Sequence, residues 1–136
     1  MDLETSRPSR RLFLYRLVAR VRFRTARGWS EPQPAIVDTG APYSLIPLSL
    51  WPALRVDPLC KLPVRGLVPG RHAELDATLA RVSGQLLDAS HRSRPLALWA
   101  MLAATDQVPL ILGWAGLLDR ARLGVDGRRR SAWLAF

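Results

Sequence analysis

Apolar and polar residues alternate early in the chain. From Phe13 to Phe23 every odd position is apolar (Phe13, Tyr15, Leu17, Ala19, Val21, Phe23), while Arg16, Arg20 and Arg22 share the even positions with Leu14 and Val18, and Arg24 continues that face. A period of two is that of a strand with one buried face. Arg16, Arg20 and Arg24 also fall four apart, as on a helix, but the unbroken apolar odd face, with Phe, Tyr and Val on it, favours the strand. Arg27-Gly28-Trp29-Ser30 then reads as a turn. Pro32 and Pro34 lead into a second, short strand, Ala35-Ile36-Val37, which runs straight into Asp38-Thr39-Gly40.

Two prolines between Ala41 and Pro47 exclude a long helix there. Leu48 to Arg55 predicts a short helical turn broken by Pro52. Pro58, Pro63, Gly66, Pro69 and Gly70 predict loop and hairpin, with Pro69-Gly70 central in a type II turn. Over residues 73–88, Leu75, Leu79, Val82 and Leu86 recur at helical spacing, although Gly84 weakens a helix. Pro95 to Ala103 and Val108 to Leu112 have strand length. Gly113 to Arg122, with Leu117, Leu118 and Ala121 on one face, is the best helical segment in the chain. Asp126-Gly127 marks a hairpin between Leu123-Val125 and Trp133-Phe136. Residues 1–11 are mostly polar and predict a flexible leader; residues 12–136 predict one domain, as 136 residues ordinarily make.

Composition narrows the chemistry. The formal net charge is +9, and the cations are nineteen arginines and one lysine, Lys61. Residues 1–30 hold eight arginines against Asp2 and Glu4. Such a segment could steer nucleic acid, anionic membrane or acidic protein, but a solvated face is the simpler expectation, and no nucleic-acid motif accompanies the charge. Cys60 alone excludes an intrachain disulfide and, beside Leu59, reads as a small buried residue. With only His72 and His91 as histidines, a metal site has little support and no cofactor is implied. No apolar run approaches the ~20 residues of a membrane span, and residues 1–11 lack a signal-peptide pattern. A soluble, cytoplasmic protein is expected.

The informative segment is Ala35-Ile36-Val37-Asp38-Thr39-Gly40-Ala41-Pro42-Tyr43-Ser44-Leu45-Ile46-Pro47. It places a carboxylate at the end of an apolar strand, a hydroxyl beside it, and a glycine that permits a tight turn with N–H groups facing the carboxylate. Such an aspartate suits acid–base work. A plain turn after a strand is the simpler reading of Asp-Thr-Gly on its own.

With its flanks the segment resembles the active-site signature of the retropepsin-like aspartic proteases, the single-lobe family that includes the retroviral proteases. Ile111-Leu112-Gly113, 73 residues after Asp38, resembles the family's second signature, and Leu117-Leu118-Asp119-Arg120 the helix after it. The resemblance covers roughly residues 13–136. It implies an all-β fold, a retropepsin-like closed barrel with one short C-terminal helix, and strands rather than helix over 73–88. It implies Asp38 as catalytic residue, Thr39 and Gly40 as support of its loop, and Gly113 as the structural glycine of the second motif. Ala41, Ile111 and Leu112 would touch substrate, as would Gly66, Leu67, Val68, Pro69 and Gly70 in a flap over residues 64–72.

One Asp-Thr-Gly per chain implies a homodimer, because the chemistry takes two aspartates sharing one proton around a water. The substrate would be polypeptide, and the terminal strand Ser131–Phe136 a dimer contact. Ala41 has no hydroxyl to offer the carboxylate, so a mildly acidic to near-neutral pH optimum is expected. The chain departs from the retroviral pattern at Pro42 and Trp114, where an acidic residue and an arginine usually stand. Two other readings follow: a non-catalytic interaction module on the same fold, and, last, an arginine-rich nucleic-acid-binding protein.

Overall fold

The computed structural model describes residues 1–5, 16–64 and 75–136. Its strands are β1 (Glu4–Thr5), β2 (Leu17–Thr25), β3 (Gly28–Trp29), β4 (Gln33–Val37), β5 (Ser44–Ile46), β6 (Val56–Val64), β7 (Leu75–Leu87), β8 (Leu96–Leu102), β9 (Ile111–Leu112), β10 (Arg122–Asp126) and β11 (Ser131–Ala135). The fold is all-β, with a closed six-stranded barrel. Following the pairings around it, β2 meets β4, then β9, β5, β8 and β7, and β7 returns to β2 through Arg20↔Leu87 to Phe23↔Gly84.

The alternation read from the sequence is the alternation of burial. Ala19, Val21 and Phe23 of β2 are buried, as are Leu96, Leu98, Ala100 and Leu102 of β8. The thirteen residues of β7 are a strand, despite their helical spacing of leucines. β7 pairs on one side with β8 and on the other first with β6 and then with β2, so its ends serve two neighbours. Gly84 lies at the switch, where a Cβ would press on the Leu98 side chain. A second, small core of Leu45, Ala103 and Val108 lies under residues 103–110.

Five expectations are corrected. The helix expected over Gly113 to Arg122 is a run of turns ending in a 3-10 turn, Leu118–Arg120. Leu117 and Leu118 are buried, but Gly116, at φ +83°, breaks any helix, and a Cβ there would collide with the Ala97 carbonyl. The loop expected from Pro58 is instead β6, nine residues long, with a register shift between Pro58 and Cys60. Among the described residues β6 pairs only with β7, and prolines are tolerated on such an edge. Cys60, expected in the core, is exposed on that edge strand. Met1 to Thr5, expected as loose leader, are paired: Leu3 N–H donates to Ala132 O (2.8 Å), Leu134 N–H to Met1 O (2.8 Å), and β1 joins β2. Gly28-Trp29, expected within a turn, form β3 against Thr25 and Arg24, so the tight turn lies one residue earlier.

The β10–β11 hairpin follows the Asp126-Gly127 signal, and its inner residues Ala132 and Leu134 join the main core with Leu3. No helix of the described residues is long and apolar enough to cross a membrane.

Candidate active site

Asp38 stands one residue beyond β4, where the sheet brings three strands together. β9 lies between β4 and β5, parallel to the first (Ile36↔Ile111, Val37↔Leu112) and antiparallel to the second (Leu45↔Ile111). The two segments singled out in the sequence, 73 residues apart, are therefore neighbours. Asp38 N–H donates to Leu112 O at 3.0 Å, which ties the base of the turn to β9. Ala41 N–H closes the turn on Asp38 O at 3.2 Å.

The carboxylate is held from its own turn. Gly40 N–H donates to Asp38 Oδ1 at 2.8 Å. A Cβ at residue 40 would stand 3.2 Å from that same oxygen, so glycine leaves the oxygen room to accept the bond. Oδ2 has no protein donor among the described residues, and no cation there forms an ion pair with Asp38. Asp38 is half-buried, with Thr39 and Gly40 exposed beside it. One carboxylate oxygen is thus fixed and the other is open to a water or a proton.

Gly113 is the pivot of the second segment. A Cβ there would collide with the carbonyl oxygens of Tyr43 and Ala41, so the two loops approach more closely than any side chain allows. Its N–H donates to Ser44 Oγ at 3.1 Å, and Ser44 is 1% exposed. Trp114 N–H donates to Ala41 O and Ala115 N–H to Pro42 O, each at 2.9 Å. The Trp114 indole reaches over the turn and donates to Thr39 O at 2.6 Å. Residues 38–44 and 111–115 are thereby one hydrogen-bonded unit.

Asp38, Thr39, Gly40, Ala41, Ile111, Leu112 and Gly113 are brought together by the β4–β9–β5 pairing. Gly66, Leu67, Val68, Pro69 and Gly70 lie outside the described residues; the strands leading into and out of that segment, β6 and β7, are paired as far as Val64↔Leu75. Sequence reasoning assigned no role to Ser44, although a hydroxyl within an apolar run needs a buried partner. Nothing local signals the Trp114–Thr39 bond, which exists only because β9 lies beside β4. The five tryptophans are all at least partly exposed, Trp114 at 44% and Trp133 at 46%. Among the described residues no three His, Cys, Asp or Glu side chains gather as a metal site would need. Neither protein-family models nor curated proteins give a match to this chain.

Proposed function

We propose that the chain is one subunit of a homodimeric aspartic endopeptidase of retropepsin-like type, with Asp38 as its catalytic residue. The observation that carries this reading is the union of the Asp38 turn with the Ile111-Leu112-Gly113 segment through Asp38 N–H to Leu112 O and the glycine-sized contact at residue 113. Sequence resemblance put these two segments in one site. Their adjacency in the sheet is independent support, because strand pairing and not motif matching produces it.

In this reading two Asp38 carboxylates, one per subunit, hold a water between them. Like charges so close cannot both be ionised, so the pair shares one proton. The ionised member takes a proton from the water as its oxygen adds to the peptide carbonyl. The protonated member donates to that carbonyl oxygen. Collapse of the tetrahedral intermediate breaks the C–N bond, and the amine leaves with a proton returned from the pair. No covalent enzyme intermediate forms. Gly40 N–H keeps Oδ1 in place throughout, and Oδ2 faces the water. The polypeptide would lie beside Ala41, Ile111 and Leu112, under the segment containing Gly66–Gly70.

Asp38→Asn tests this. Loss of peptide cleavage by about 10²-fold or more, the scale of general acid–base contributions, is expected with the fold intact by circular dichroism. Undiminished cleavage would overturn the reading. The non-catalytic module is favoured by Pro42 and Trp114, since Trp114 directs its indole N–H to Thr39 of its own subunit. A chain that stays monomeric at high concentration and does not bind pepstatin-type inhibitors would select that alternative.

A further inference from the structure

The outer face of the sheet carries arginines that no carboxylate neutralises. Arg22 and Arg24 point away from the barrel on β2, because Val21 and Phe23 between and beside them are buried. Both guanidinium carbons lie 5.1 Å from the centre of the Trp29 ring. Arg22 is held further: its Nε and Nη2 donate to Gln85 Oε1 at 2.9 and 2.6 Å. Gln85 is only 8% exposed and donates to Ser93 O at 2.6 Å, so its amide is fixed from both ends. On β7, Arg81 lies 5.4 Å over the Trp99 ring. Arg55 N–H donates to Arg24 O at 2.9 Å, which brings a fourth arginine to this corner.

None of these four arginines has an ion pair among the described residues. Asp57 stands opposite Arg81 in the β6–β7 register. Arg20 differs, since it shares a hollow of about 210 Å³ with Asp2, Glu4 and Asp88. From Arg55 a groove runs across the face in two hollows, of about 290 and 570 Å³, that meet at Arg81 and Ala97. The near hollow is also bordered by Asp57, and the far one by Tyr43, Trp99, Gly116, Arg120 and Asp119, which lies 3.8 Å from Arg120.

We propose that this outer face docks an extended acidic polypeptide segment, whose carboxylates pair with Arg55 and Arg81 in the groove and with Arg22 and Arg24 on β2 beside it. The stacked guanidiniums of Arg22, Arg24 and Arg81 have little freedom left to lose. The Nε side of Arg22 is taken by Gln85, and the remaining N–H groups offer carboxylates charge-assisted bonds. Single-stranded nucleic acid would need free aromatic faces for its bases, whereas Trp29 and Trp99 already carry guanidiniums. Between the arginines, Ser83, Ala97 and Gly116 are small enough to leave a channel for a backbone. The far hollow borders the Asp38 unit through Tyr43 and Ala115, but pairing with the arginines does not depend on the chemistry at Asp38.

The test is binding to the Asp38→Asn protein, so that cleavage cannot interfere. The probe is a fluorescein-labelled twelve-residue peptide with Glu at every second position, compared with its Gln counterpart and with a labelled oligothymidylate. Saturable binding of the Glu peptide alone is expected, at least tenfold weaker in Arg22→Gln/Arg24→Gln and weakening with salt. Arg55→Gln/Arg81→Gln, on other strands, should lose a similar factor, and serves if the first pair fails to fold. Arg22→Lys should bind at least threefold more weakly, because lysine keeps the charge without the fork. Equal binding by either double variant, full retention by Arg22→Lys, or oligothymidylate binding as tight as the acidic peptide would overturn the proposal.

Discussion

At position 113 the absence of a side chain decides whether the candidate site can exist. The carbonyl oxygens of Tyr43 and Ala41 occupy the space a Cβ would take, and both belong to backbone that the Trp114 and Ala115 N–H bonds hold in place. Gly113→Ala should therefore lower stability by about 1–3 kcal/mol or more, as overpacking against fixed atoms does, read as a lower urea midpoint with an unchanged slope. Trp114→Phe asks a narrower question. It keeps an aromatic ring but removes the donor to Thr39 O, at a cost of about 0.5–1.5 kcal/mol for one hydrogen bond. In the proposed protease the turn would then hold Asp38 less well, and kcat should fall more than KM rises. An unchanged kcat would reduce Trp114 to a surface contact. The turn at Asp38, Thr39 and Gly40 was legible in the sequence because a short turn builds most of its own geometry. Trp114 was legible only as a departure from a pattern, since its partner is 75 residues away.

At the scale of elements, tertiary pairing overrode local periodicity. Leucines at helical spacing in residues 75–87 form a strand because the barrel offers β7 a partner on each side, whereas an isolated helix there would contain Gly84 and offer no packed face. The reverse holds at 113–122, where a helical face of leucines is buried without a helix. The turn after β7 supplies a pH test. Ser90 N–H donates to Asp88 Oδ1 at 2.8 Å and His91 N–H at 2.6 Å, and these donors, Ser90 first, hold the Asp88 carboxyl below its ordinary value. A carboxyl depressed in the folded state contributes stability that is complete above its unfolded pKa, near ~3.9, and is lost as pH falls through the lower folded value. The difference in unfolding free energy between the native chain and Asp88→Asn should thus shrink as pH falls from about 5 to below the reference carboxylate value. A difference that grows on acidification would contradict this. Asp88 lies in a surface turn with its side chain part-exposed, so the effect is small.

For the whole molecule, the proposed chemistry is a statement about two chains. In the proposed mechanism acid and base are two carboxylates acting in the same step, one from each chain, so specific activity should fall on dilution. The initial rate should vary with the square of protein concentration, and specific activity in direct proportion to it, once the dimer is mostly dissociated, as measured beside sedimentation at matching concentrations. Activity strictly proportional to concentration down to a monomeric population would contradict a shared site. The absence of a hydroxyl at Ala41 places the expected optimum at mildly acidic to near-neutral pH, and maximal turnover below about pH 3, under the reference aspartate value, would contradict it. The pairing of Met1–Leu3 with β11 bears on how two copies meet. It occupies one edge of the terminal hairpin within the same chain, through Leu3 N–H to Ala132 O and Leu134 N–H to Met1 O.

Alternation in β2, the Asp126-Gly127 hairpin and the Asp-Thr-Gly turn were determined by the sequence alone, because each depends on residues within a few positions of one another. The resemblance to an acid-protease pattern also needed only the order of two short segments. The tertiary structure decided the rest: that β9 runs between β4 and β5, that β7 serves β6 and β2 in turn, and that the chain's first residues are paired. It also decided which tryptophans carry arginines on the outer face. Each of these joins residues far apart in the chain, where local propensity says nothing and only closure of the barrel sets the neighbours.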